Sequence, residues 1–492
     1  MVKKMGNARR KPVRGKTNAE NTNISMNKVG AKDIVFGAAG IFMVAVALVV
    51  IAVYLPGAIS NKSSNTSMVN QSWGNAGSVS MYDGGINHTY FINKTLQPIN
   101  ITLNDTIMGP LTVYKGLIFA STAGPYEYQL LANYTRTHGS VAAISAYTGK
   151  LAWRTHFPNQ VIDQPIAVGN YIYVTTGNNA EVPTVADLNN NNQIYALNII
   201  NGNIVWNETL PGPVMPTLAY KDGKLIAAGT GGISFFDAKN GNLLKQIDTG
   251  LPDTMSSPLV VGNNTYFGAG YADGYTRGPI TGIFKFFDIN ATTGNVIWSI
   301  RFNTAGGGIN DVVPTYYKGI VITGYLNHSE YTNPILVGLN STTGSLAWVI
   351  NENVTDNLVP IESPPITAQS YMYVTEPAMS AITLWHGIGY SDTNYEGNLY
   401  AFNATTGKVL WIFHTGQCES NPNIYNGTAV IVSDGGMLYV LNATDGALIN
   451  ETDIHMEHLS NEVIISKNEA LFTNMNGTIL SIPIKNLLQK NV

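Results

Sequence analysis

From about residue 97 onward, apolar and polar positions alternate in short runs, and the runs recur. The stretches AISAYTGKLAW, ALNIINGNIVW, FFDAKNGNLLK, FFDINATTGNVIW, GLNSTTGSLAW, AFNATTGKVLW and VLNATDGALIN all follow one order: an apolar strand end, a polar turn, then a second strand. Strict alternation over such short runs is the signature of half-buried strands. The Asn or Asp opens the turn by accepting a hydrogen bond from its own backbone two residues on. The glycine supplies the positive φ that closes a short hairpin with a bulge. These glycines are Gly149, Gly202, Gly241, Gly294, Gly344, Gly407 and Gly446, spaced 39 to 63 residues apart. In five phrases the second strand ends on a tryptophan, Trp153, Trp206, Trp298, Trp348 or Trp411, large enough to fill the gap between neighbouring sheets.

Between phrases lies a second pair of strands, as in SPLVVGNNTYFGAG (257 to 270) and MPTLAYKDGKLIAAG (215 to 229). A proline starts the first strand, and a two-residue Gly-Asn or Asp-Gly turn makes the hairpin. Four strands per period, repeated radially, define the blade of a β-propeller. Seven phrases are visible, and the tail EVIISKNEALFTNMNGTILSIPI (462 to 484) supplies three more strands. PINITL (98 to 103) can supply the missing fourth and close the ring. The expected fold is all-β: an eight-bladed propeller of four-stranded antiparallel blades over 97–492, with seven blades as the alternative.

Upstream the pattern changes. Residues 1–33 hold nine Lys/Arg against Glu20 and Asp33, and residues 34–59 carry no charge at all. About 20 apolar residues suffice to cross a bilayer as a helix. The basic flank places 1–33 in the cytoplasm and everything after the span outside. A cleaved signal peptide is the alternative, although its apolar core is usually shorter. Residues 60–96, rich in Ser, Asn and Gly, read as a tether.

Composition sharpens this picture. The chain has 492 residues, a net charge of −4 and a single cysteine, Cys418, so no internal disulfide is possible. Without the N-terminal tail, Lys+Arg falls to 27 − 9 = 18 and Asp+Glu to 31 − 2 = 29. The outer part is therefore acidic, which argues against a nucleic-acid partner. Nineteen N-x-S/T triplets follow the span. On the outside of a membrane these are glycosylation acceptors, most convincingly Asn61, Asn65, Asn70, Asn87 and Asn93 in the tether. At Asn290, Asn340, Asn403 and Asn442 the triplet coincides with the turn consensus. Asn standing in these turns does not titrate, unlike Asp, which suits an outer domain facing acid, as on an acidophilic archaeon.

YTGKLAW through PIAVGNYIYV, and NATTGKVLW through SNPNIYNGTAVIVSDGGMLYVLNATDG, resemble the tryptophan-docking repeats of the pyrroloquinoline-quinone-type propellers. That family includes quinoprotein alcohol dehydrogenases and the outer-membrane assembly lipoprotein, which binds proteins and no cofactor. The resemblance to the dehydrogenases implies calcium ligands at Glu127, ahead of the first tryptophan phrase, and at Asn178 in YVTTGNNA. Both are oxygen donors suited to Ca²⁺. Three features depart from the enzyme pattern. Adjacent cysteines are absent, Ile162 stands where the quinone-stacking tryptophan belongs, and WNETLPGPVMPT lacks the catalytic Asp. A quinone without its aromatic floor and base abstracts no proton from an alcohol.

Acidic residues stand ahead of the predicted innermost strands: Asp163, Asp311, Glu362, Glu419 and Glu462. Converging at a funnel mouth they favour a cation; as separated loop ends they are merely solvated. The stretches 176–192 and 376–396 read as long recognition loops, the second offering Trp385, Tyr390 and Tyr395. HMEH (His455, His458) lacks a third metal ligand. The resulting expectation is a membrane-anchored extracellular propeller, single-pass with its N-terminus in the cytoplasm. It binds an envelope protein or a glycan without catalysis and without a cofactor. The alternative is a quinone- and calcium-dependent alcohol or sugar dehydrogenase.

Overall fold

A computed structural model describes residues 78–79, 91–124, 138–177, 192–212, 214, 216–229, 232–249, 256–270, 283–303, 313–326, 334–351, 382–393, 398–416, 418, 420–456, 459 and 463–488. The basic tail, the apolar stretch 34–59 and most of the 60–96 segment lie outside these residues. Among the described residues no helix is long and apolar enough to cross a membrane.

The strands form eight sheets. Blade one comprises β4 (Thr112–Tyr114), β5 (Leu117–Thr122), β6 (Gly139–Ser145) and β7 (Leu151–Phe157). Blade two follows with β8 (Ile166–Val168), β9 (Tyr171–Thr175), β10 (Gln193–Asn198) and β11 (Ile204–Thr209). Blades three to seven repeat this order as β12–β15 (219–247), β16–β19 (259–303), β20–β23 (315–351), β24–β27 (382–414) and β28–β31 (423–453). Blade eight takes β32 (Ile464–Ser466), β33 (Glu469–Thr473) and β34 (Thr478–Pro483) from the end of the chain. Its outermost strand is β3 (Asn100–Thr102), paired antiparallel with β34. A short helix, α1 (Ile484–Leu488), ends the described chain.

The count of eight is fixed by packing as well as by strands. Eight separate apolar clusters occupy eight seams, one between each neighbouring pair of blades. The cluster joining blade eight to blade one combines Leu96, Ile99 and Leu103 with Ile118, Ile144, Ile464 and Ile479. Seven-bladed closure is thereby set aside.

Why these phrases make these corners is visible atom by atom. The Oδ1 of Asn290 accepts the N–H groups of Thr292 and Thr293, and Asn340 and Asn403 do the same for their own turns. Each phrase has one bulge, for example between Ala401 and Phe402. The tryptophans pack on the turn glycine of the next blade. A Cβ on Gly407 would lie 2.7 Å from the Trp348 ring, and one on Gly446 2.7 Å from Trp411. The indole N–H then donates to a backbone carbonyl of that next blade, Ile199 for Trp153, Ala238 for Trp206, Ser341 for Trp298, Ala404 for Trp348 and Ala443 for Trp411. Blade three carries Lys245 at this place, and its ammonium donates instead to the Thr293 carbonyl and Asn295 Oδ1 of blade four.

Two corrections concern blade six. Its innermost hairpin is β24 (Ile382–Trp385) and β25 (Ile388–Thr393), turning at His386 and Gly387, both at positive φ. The stretch 376–396, expected as a recognition loop, therefore holds core strands. Trp385 is half-buried against the blade six–seven cluster rather than displayed. Glu362, expected to open the innermost strand, lies well upstream of it and outside the described residues. The 60–96 stretch also contributes to the wheel. β1 (Ser78–Val79) pairs antiparallel with β8, and β2 (Phe91–Ile92) pairs parallel with β32. Both strands lie on innermost edges.

Candidate functional site

The innermost strands of successive blades neighbour one another around the axis, and the residues just before them are laced together. The Gln164 N–H donates to Thr217 Oγ1 (3.1 Å), and the Thr217 N–H to Ser257 Oγ (3.0 Å), stepping from blade two to three to four. Gln164 Nε2 donates back to the Leu111 carbonyl of blade one, and Asn423 Nδ2 forward to the Val463 carbonyl of blade eight. These polar side chains are buried, and each replaces a water contact by a carbonyl or hydroxyl.

Asp163 stands at this lacing, directly ahead of β8. It is not a solvated mouth residue: only 2 % of it is exposed. Its Oδ2 accepts the Thr175 N–H (3.0 Å) and lies 3.2 Å from Thr175 Oγ1. Its Oδ1 has no partner among the described residues. Burial drives the carboxyl well above the usual range, and the Thr175 backbone and hydroxyl bonds only partly offset this. The carboxyl is therefore easier to protonate than a solvated aspartate, and the oxygen without a partner is the one left facing the hub groups unmatched. Gln160 Oε1, three residues earlier, is likewise buried without a partner. Above blade two, Asn159 Nδ2 bonds Asn192 Oδ1 (3.3 Å), at the root of the 176–192 connection.

Asp311, Glu419 and Glu462 lie outside the described residues, as do Glu127, Asn178, His458, Asn61, Asn65, Asn70 and Asn87. Asn93 is half-buried just after β2. His455 is exposed beside Asp453 (3.2 Å). Cys418 is fully buried, its thiol donating to the Val432 carbonyl (2.9 Å), which makes it a packed small residue. Among the described residues no group of three His, Cys, Asp or Glu could hold a metal ion.

A second polar cluster went unseen in the sequence. Asp105 receives Arg154 Nη2, while Arg154 Nε donates to Ser140 Oγ (2.8 Å) and Nη1 to the Leu103 carbonyl (2.7 Å). His138 Nε2 lies 3.5 Å from the same carboxylate. Because Leu103 and Asp105 follow β3 and Arg154 belongs to β7, the cluster fastens the ring-closing segment to blade one. No local motif announces it; Asp105 sits in an N-x-T triplet whose Asn104 is at positive φ.

The quinone expected on the enzyme reading does not fit the described residues. Ile162, in the place of the stacking tryptophan, presents its backbone rather than an aromatic face. A Cβ on Gly109 would come within 2.4 Å of the Ile162 carbonyl oxygen, so the segment entering blade one lies against that spot. β1 runs along the adjacent inner edge.

Fold and hub together define a tryptophan-docked, eight-bladed propeller of the quinone-repeat class. The model of the family described as outer membrane protein assembly factor BamB matches residues 115–277 and 360–486, more than half of the chain, and the chain belongs to that family. Among curated proteins it is similar to the tetrathionate hydrolase of Acidithiobacillus ferrooxidans, 25 % identical over 413 residues, covering 77 % of this chain and 73 % of that one. BamB from Moraxella catarrhalis superposes with a TM-score of 0.54 at 16 % identity, over 78 % of this chain and 99 % of that one. A europium-containing methanol dehydrogenase gives 0.56 at 11 % identity, over 82 % and 88 %. At these identities the solved structures speak for the fold alone.

Proposed function

We propose that this chain is an envelope-side propeller that hydrolyses a sulfur-chain dianion of the tetrathionate type in acid. The observation that carries the proposal is the likeness to a tetrathionate hydrolase along about three quarters of both chains. The electrostatics support it. With 18 basic against 29 acidic residues beyond the span, the outer part repels a dianion at neutral pH. In acid the carboxylates become neutral while Lys and Arg stay charged, so the sign reverses. Tetrathionate, the anion of a strong acid, keeps both charges. Asp163, whose carboxyl burial makes easier to protonate, then becomes a hydrogen-bond donor rather than a repelling charge. Hydrolysis needs only water as co-reactant. The full chain, held outside by the 34–59 span, is incubated with tetrathionate from pH 2 to pH 7 and the loss of substrate followed by ion chromatography. Turnover confined to acid is the expected result. No turnover at any pH, with the protein folded throughout, sinks the proposal.

The second reading is capture of an envelope protein without catalysis. It is favoured by the family's assembly-factor description and by extra strands on the inner edges of β8 and β32, since strand addition is a general mode of peptide binding. On either reading the tether asparagines carry glycans. A mass loss on enzymatic or chemical deglycosylation, mapped to Asn61, Asn65, Asn70, Asn87 or Asn93, is the corresponding measurement.

A further inference from the structure

Each blade turns twice at the same end. The tight turn between its first two strands and the longer turn between its last two lie side by side, and the second bonds the first. The Ala146 N–H donates to the Gly116 carbonyl in blade one, Ala238 to Gly223 in blade three and Ala404 to Gly387 in blade six. Repeated around the ring, these turns make one face of the wheel. Six of them carry an exposed lysine: Lys115, Lys318 and Lys467 in tight turns, Lys150, Lys239 and Lys408 in long ones. The acids in these turns are Asp222, Asp237 and Asp445, and Asp222 is paired with Lys221. Elsewhere on the face the bonded ammonium groups have neutral partners. Lys115 Nζ donates to the Gly169 carbonyl (2.6 Å) and Asn170 Oδ1 (3.0 Å), and Lys224 Nζ to the Thr292 carbonyl (2.6 Å). At the other ends of the strands the balance reverses: among the described residues Asp105, Asp163, Glu208, Asp248, Asp434 and Asp453 stand there against Arg154, Lys285 and Arg301.

The chain also enters the wheel from the basic side. β1 is antiparallel to β8, with Ser78 opposite Val168, the residue beside the Gly169–Asn170 turn, and Val79 opposite Ala167. It is therefore entered from the turn end. Eighteen residues, 60–77, separate it from the apolar stretch, and a flexible chain of that length spans about 23 Å on average. From the acidic side the same segment would first have to pass the height of a blade, about 20 Å for a six-residue strand. We propose that the turn face is a docking surface for anionic lipid headgroups, and that the wheel lies with its lysines on the membrane that anchors it. This placement rests on the outward anchor of the preceding reading. Lysines held within a Debye length of a negatively charged leaflet, about 10 Å at 0.1 M salt, are attracted to it, and six on one face act together. The acidic face, Asp163 included, is thereby turned to the medium from which a soluble substrate arrives. Asn290, Asn340 and Asn403 each accept two N–H groups of their own turns, which accounts for the triplets on this face without a glycan.

The test reconstitutes the full chain into vesicles of phosphatidylcholine, alone or mixed with phosphatidylglycerol. A membrane-impermeant amine reagent then labels it, and peptide mass spectrometry reads each lysine. On the anionic vesicles labelling of the six turn lysines slows by about threefold or more relative to the neutral ones, Lys285 at the other end is unchanged, and about 1 M salt abolishes the difference. The combined variant Lys150→Gln, Lys318→Gln and Lys408→Gln, all exposed positions, loses at least about half of the slowing at Lys115, Lys239 and Lys467. Equal labelling on both kinds of vesicle, or slowing that the variant leaves intact, overturns the proposal. Slowing by soluble dextran sulfate on neutral vesicles, with none from phosphatidylglycerol, overturns the lipid assignment in favour of an anionic polysaccharide. A glycan found at Asn290, Asn340 or Asn403 would stand between face and bilayer and overturns it too. Release of the chain from neutral vesicles by alkaline carbonate counts against the anchor alone; protection of the same lysines on anionic vesicles is then read on the unanchored chain and still decides the face.

Discussion

Asp163 shows what a single buried carboxyl does to this fold. Its folded-state pKa lies above its unfolded value, so its contribution is fully present below the unfolded pKa and lost as pH rises through the folded one. Asp288 is pushed up to about 6 by burial, offset in part by the Asn264 amide, and Glu469 is raised by burial as well. All three carboxyls favour the folded state in acid. Asp163→Asn keeps the acceptor for Thr175 and cannot ionise. It should raise the melting temperature at pH 7 and leave it nearly unchanged at pH 3, as read by calorimetry; a destabilisation equal at both values would refute the assignment. The sequence put Asp163 ahead of an innermost strand, and in the structure it stands three residues before β8, buried. It did not show that Thr175, twelve positions on, would fold over the carboxyl and bury it.

The element that repeats is the glycine turn with a tryptophan laid across it. Gly407 has a φ of 69° and no room for a Cβ beside Trp348, whereas Gly169 at 61° has open space. Gly407→Ala therefore suffers backbone strain and a clash, and Gly169→Ala only the strain. We expect Gly407→Ala to cost about 1–3 kcal/mol more than Gly169→Ala. Trp348→Ala alone should cost about 3–5 kcal/mol, and in the double variant the clash component should vanish. Equilibrium denaturation gives the cycle; strict additivity would show that the two residues do not meet. Turns, bulges and docking were legible because they rest on local chemistry: an Asx bond, a positive φ, one large ring. The hairpin of blade six was not, because its turn uses His386, a residue with little turn signature, and Glu362 with its following prolines imitated a strand start. Two-residue strands such as β1 and β2 leave no side-chain period to read at all.

At the scale of the molecule, closure depends on a strand that precedes the whole wheel. β3 pairs with β34, Asn468 bonds both the N–H and the C=O of Leu96, and Ser481 Oγ accepts the Ile99 N–H. A chain beginning after Asp105 would lose these together with the Arg154 anchor, leaving an apolar face of blade eight open. Light scattering and a broadened thermal transition are expected for that truncation, against a single sharp transition for the intact outer part; an unaltered transition would mean that the ring does not need its fourth strand. Charge matters little to closure. Among the described residues the ion pairs number four, two of them involving histidine and one joining adjacent residues. The fold therefore leans on few ionised carboxylates, and unfolding by pH 3 would contradict it.

Because blade eight is assembled from both ends of the chain, the order of synthesis acquires a consequence. The ribosome delivers β3 before any blade and β34 after all the others, with more than 370 residues between them. Seven blades can stack as they emerge, yet the opening strand must wait unpaired until translation is complete. A nascent chain stalled anywhere short of its final hairpins would hold an unfinished arc with two sticky faces, the form of this molecule most in need of a chaperone.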